Sequence, residues 1–88
     1  MNDNSWNVEI RFAEDDVHTH ATVRARLVDG DTLTATGDAY RNPRDDSQPM
    51  VGEEIAAARA FIALGTELLH AASTRIEQAT HRSVHLNR

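Results

Sequence analysis

The chain has 88 residues, a formal net charge of −5, no cysteine, and nine cationic side chains that are all arginine. That length predicts one domain over residues 1–88 with a modest core. The missing cysteines exclude disulfides, thiolate zinc sites and thiol nucleophiles. The acidic balance argues against a free-standing nucleic-acid binder, which normally carries a basic footprint. The N-terminus has neither the positive start nor the apolar run of a signal peptide, and scanning finds no window near the roughly 18 apolar residues of a membrane span. The expectation is therefore a cytoplasmic protein with no membrane contact.

The first element is a strand over residues 6–13. Trp6, Val8, Ile10 and Phe12 alternate with Asn7, Glu9 and Arg11, and this period of two predicts one buried and one solvated face. Glu14, Asp15 and Asp16 make the following turn. A second strand spans Val17 to Val28, with Val17, Ala21, Val23, Ala25 and Leu27 facing the core and His18, His20, Thr22, Arg24 and Arg26 facing outward. Asp29-Gly30-Asp31 supplies a residue pair favoured in tight hairpins. The third strand, 32–40, points Leu33, Ala35, Gly37 and Ala39 inward. The three strands read as an antiparallel meander.

Residues 41–50 are charged, bounded by Pro43 and Pro49, and aperiodic. They read as a connection, because proline cannot donate to a strand ladder. A long amphipathic helix is expected from about Gly52, with Glu53 and Glu54 in its first turn complementing the macrodipole. Helical spacing puts Ile55, Ala58, Ile62, Gly65 and Leu69 on its buried face, beside Phe61, Leu64 and Leu68. Ala58 and Gly65 would permit a close approach to the sheet. Thr74 and Glu77 have the spacing of a capping box, predicting a break near 72–74 and a short C-terminal helix that folds Ile76 back onto the core. The fold class is thus α+β, a two-layer sandwich of meander and helix. Its small, alanine-rich core and open sheet edges predict a homodimer, formed by edge pairing or exchange of the first strand.

Several segments taken together resemble a known family. They are Thr19–Leu27, Gly37–Pro43, the Val51-Gly-Glu-Glu-Ile block with Arg59, and Ile76-Glu-Gln-Ala-Thr-His81. Over residues 6–86 the chain resembles the domain-of-unknown-function 1876 proteins of actinobacteria, whose fold is described as like the double-stranded-RNA-binding domain. The resemblance implies a non-enzymatic protein of uncharacterised role, associated with stress or dormancy, and a likeness to ribosome hibernation factors.

The residues qualify that implication. Carboxylates Glu53 and Glu54 stand where a double-stranded-RNA-binding domain presents lysines to phosphate, so the usual docking mode is excluded. For a ribosomal or RNA partner the expected contacts are Arg24 and Arg26 on the polar sheet face, with Arg75 and Arg82 at the C-terminal end. The competing expectation is a homodimeric interaction or scaffold module with no nucleic-acid contact, using the sheet edge or the 41–50 loop. No DNA or small-molecule partner is expected. His18 and His20 share a face, but a zinc site needs further ligands. Only Asp16 and His81 suggest themselves, so no metal or cofactor is assigned. His81 and His85 read as tail residues. Arg59 is expected to pair with Glu53, Glu54 or an acid at the sheet edge. No serine sits in a glycine-flanked elbow, and Glu53/Glu54 diverge on a helix, so no catalytic residue is assigned and the chain is not expected to be an enzyme.

Overall fold

The computed structural model describes residues 3–80. β1 spans Asn7–Glu14, β2 His18–Arg26 and β3 Thr32–Tyr40, followed by a single helix, α1, over Pro49–Thr80. The sheet is an antiparallel meander in the order β1-β2-β3, as alternation and turn chemistry predict. The first turn is held by Asp15, whose Oδ1 accepts from the amides of Val17 and His18 at 2.9 and 2.8 Å. Those amides hold the Asp15 carboxyl below its ordinary range. The second turn is closed between Leu27 and Asp31, with the Leu27 amide donating to the Asp31 carbonyl at 2.8 Å. Gly30 takes φ 92° within it, a conformation open to glycine and costly for most other residues.

The core is Ala21, Val23 and Ala25 from β2, Ala35 and Ala39 from β3, and Ala56, Ala60 and Leu64 from α1. The inward face read for β2 and β3 holds. The face read for α1 holds at Leu64, which is buried, and at Leu68, which packs against the core, but not at its centre: Ile55 is 41% and Ile62 64% exposed, while Ala58 is also exposed. The reason is distance. A Cβ built on Gly37 would overlap the Ala56 carbonyl oxygen and the Ala60 amide nitrogen, and would stand 2.8 Å from the Arg59 carbonyl carbon. α1 therefore lies with its backbone almost on β3 at Gly37, where its buried side chains are Ala56 and Ala60. Bulky isoleucines would hold the helix away, so they turn outward. The close approach comes from Gly37, not from Ala58 or Gly65; a Cβ at Gly65 would meet open space.

β1 departs from expectation for a related reason. α1 packs on β3 and β2 and barely touches β1. A helix is about 10 Å across and strands are about 4.8 Å apart, so one helix covers two strands, not three. Trp6 (48% exposed), Val8 (50%) and Phe12 (37%) are left open on the face meant for burial, with Ile10 half-buried.

α1 also begins earlier and ends later than expected. It starts at Pro49, whose fixed φ and missing N–H suit a first helical position. Glu53 and Glu54 therefore fall in the second turn rather than the first. The break near 72–74 is absent: the Thr74 hydroxyl donates back to the His70 carbonyl at 3.1 Å within a continuous helix. At 1.5 Å per residue these 32 residues run about 48 Å, against about 30 Å for a nine-residue strand. The last turns overhang the sheet, and Ile76 stands 37% exposed instead of folding onto the core. By length and composition α1 is apolar enough to cross a membrane, with an 18-residue stretch of mean hydropathy 1.3, which the sequence scan did not anticipate. Its inner face lies on the sheet.

At the other end of the sheet, Glu14 faces Glu53 of α1. The shared hydrogen bond, followed by burial and the Glu53 charge, raises the Glu14 pKa above its ordinary value. A group whose pKa is raised by folding favours the folded state below its unfolded pKa and loses that contribution as pH rises through the folded value. Glu14→Gln is therefore expected to melt higher than the parent at neutral pH. The difference should vanish near pH 4, and thermal melts at the two pH values check it.

Candidate functional site

The solvent face of the sheet carries the polar residues that sequence alternation placed there, and strand register decides which of them meet. In the β2–β3 ladder His18 lies opposite Tyr40 and His20 opposite Asp38. His18 Nε2 is 2.7 Å and His20 Nδ1 2.6 Å from the same oxygen, Asp38 Oδ1. Both imidazoles therefore converge on one carboxylate, which they hold below its ordinary pKa, His20 more than His18. The His18 ring is stacked on Tyr40, with centroids 4.4 Å apart and planes 4° from parallel, which fixes its orientation. All three polar side chains are between 32% and 39% exposed. The third member is Asp38, not the Asp16 or His81 considered from sequence; His81 lies outside the described residues.

Arg59 supports this group from the helix. Its Nη1 donates to the Asp38 backbone carbonyl at 2.7 Å, so of the expected partners it takes the acid at the sheet edge rather than Glu53 or Glu54, and meets its main chain instead of its carboxylate. The outer edge of β3 is thereby tied to α1 directly behind Asp38.

The four expected contact residues separate. Arg24 and Arg26 are exposed on β2, on the same face as the histidines, and neither is engaged in a hydrogen bond or ion pair among the described residues. Arg75 is committed elsewhere: its Nη2 lies 2.9 Å from Asp29 Oδ2 and 3.2 Å from Asp31 Oδ2, bracing the β2–β3 turn against α1. Removing the guanidinium with Arg75→Ala is expected to speed amide hydrogen exchange at Gly30 and Asp31 while leaving Arg24 and Arg26 in place. Arg82 and His85 lie outside the described residues.

Arg41 was missed by sequence reading. Its guanidinium donates to the carbonyls of Asp16, Asn42, Pro43 and Asp45, gathering the 41–48 segment around one side chain. This segment, the β1–β2 turn and the start of α1 line an open cleft that includes Asp15, Asp16, Asp45 and Asp46. The signal available in sequence was an arginine directly after a strand and before a proline-bounded acidic loop, which does not say what it holds.

Residues 4–85 match the family described as Rv2632c-like. The chain is 35% identical to an uncharacterised protein of Mycobacterium bovis, Mb1767, over 92% of this chain and 85% of the relative. It is 31% identical to the uncharacterised Rv2632c of Mycobacterium tuberculosis over 88% and 82%. The crystal structure of Rv2632c is similar with a TM-score of 0.83 at 28% identity, covering 93% of this chain and 96% of that one.

Proposed function

The chain belongs to the Rv2632c-like family, and from that premise we propose that it is a non-enzymatic binding protein that works as a homodimer. The observation that carries this reading is the uncovered apolar face of β1, with Trp6, Val8 and Phe12 open to solvent. Among the described residues β1 is also a sheet edge with no outer neighbour, and such an edge templates pairing with another strand. Antiparallel pairing of β1 with a second copy about a two-fold axis normal to the sheet would give six strands with both helices on one side. The two apolar β1 faces would then form the floor between the helices. Sedimentation equilibrium tests this. The parent is expected at the dimer mass and Phe12→Glu at the monomer mass, with unchanged circular dichroism. A parent that stays monomeric at every concentration overturns the reading.

A second reading concerns the partner. Arg24 and Arg26 lie exposed on the opposite, polar face, with no ion-pair partner among the described residues, which favours an acidic macromolecule. The ribosome is the concrete candidate, in keeping with a cytoplasmic, stress- or dormancy-associated role. The domain-of-unknown-function 1876 assignment and the double-stranded-RNA-binding-like description of the fold belong to this reading. Contact would run through the sheet, because Glu53 and Glu54 put negative charge in the second turn of the helix. Ribosome co-sedimentation is expected to weaken with salt, and the slope to fall by about two in the Arg24→Glu/Arg26→Glu variant. Absence of low-salt binding by a folded dimer would leave a protein partner as the occupant.

A further inference from the structure

We propose that His18, His20 and Asp38 form a binding site for a borderline divalent transition ion of the zinc class. The inference is independent of the oligomer and partner readings above. Its basis is convergence: one ligand atom from each residue lies within 4.8 Å of the others, with the imidazole nitrogens 2.7 and 2.6 Å from Asp38 Oδ1. Around a tetrahedral ion with metal–nitrogen and metal–oxygen distances near 2.1 Å, neighbouring donors stand about 3.4 Å apart. The two nitrogen–oxygen separations must therefore open by about 0.7 Å to admit an ion, which Asp38 can supply by rotating its partly exposed carboxylate.

The donors come preorganised. His20 and Asp38 are directly opposed in the β2–β3 ladder, His18 is clamped by its stack on Tyr40, and Arg59 holds the Asp38 backbone. Two imidazoles and one carboxylate suit zinc, cobalt, nickel or copper and not the all-oxygen shells of magnesium or calcium. The solvent-facing position leaves the fourth coordination site to water or to a donor from a partner.

The geometry specifies which nitrogens bind: Nε2 of His18 and Nδ1 of His20. Zinc chloride titration by calorimetry at about pH 7.5, above the ordinary histidine pKa, is expected to show one ion per chain. His20→Ala and Asp38→Asn should weaken binding by more than the 10- to 100-fold typical of losing an outer-shell partner, with circular dichroism verifying folding. The His81→Ala/His85→Ala and His70→Ala variants should bind as the parent does. Nitrogen-15 spectra of the parent supply a readout that needs no variant, with zinc shifting Nε2 of His18 and Nδ1 of His20. Equal binding by parent and His20→Ala, loss of binding in His81→Ala/His85→Ala, or unshifted ring nitrogens at saturating zinc would overturn the proposal.

Discussion

Gly37→Ala is expected to destabilise the protein by about 3 kcal/mol, at the upper end of the overpacking range. The size follows from what the added methyl would strike. Its neighbours are the Ala56 carbonyl oxygen, the Ala60 amide nitrogen and the Arg59 carbonyl carbon, all backbone atoms of a helix with no rotamer to change. Relief requires α1 to lift from β3, which opens the contacts of Ala35, Ala39, Ala56 and Ala60 together. For a chain of this length 3 kcal/mol corresponds to more than about 10 °C in melting temperature, a large part of a total near 4–13 kcal/mol. Urea denaturation at fixed protein concentration is the check, since dimerisation would make stability concentration-dependent. A midpoint within error of the parent would mean that the helix does not rest on Gly37.

Val23→Ala should cost about 2 kcal/mol. Val23 is fully buried and the largest side chain in that state, on the central strand under α1. Two methyl-sized groups lose about 1.6 kcal/mol of transfer energy, and incomplete collapse around them adds a cavity contribution. The neighbours Ala21, Ala25 and Ala35 are too short to fill the gap. A thermal melt lower by about 10 °C is expected. Val8→Ala, half exposed on β1, makes a useful contrast: it should leave the monomer's stability nearly unchanged and alter only the concentration dependence of melting.

The architecture was legible to different depths. Alternation in 6–13, 17–28 and 32–40 predicted three strands whose observed bounds differ by at most two residues, because a period of two is a local property of the chain. The polar face grouping of His18, His20, Arg24 and Arg26 came from the same rule. Helix existence was equally clear, but its orientation was not: α1 is apolar nearly all round, so spacing alone offered Ile55 and Ile62 as readily as Ala56 and Ala60. The capping-box pattern at Thr74 misled because the Thr74 hydroxyl satisfies the His70 carbonyl within the helix.

The His18–His20–Asp38 group shows where local reading stops. His18-x-His20 was visible as a same-face pair, while Asp38 is eighteen residues from His20. They meet only because the turn closes between Leu27 and Asp31, and counting back along both strands from that pair sets His20 against Asp38. The sequence by itself determined the order of elements, the two faces of each strand and the glycine at the positive-φ turn, since each depends on residues a few positions apart. Tertiary structure decided which helix face meets the sheet, that β1 is left uncovered, that Arg75 is held by Asp29 and Asp31, and that two histidines share one carboxylate. Each of these depends on how closely backbones approach and on how many strands one helix can span, and neither quantity is written in any local stretch of the chain.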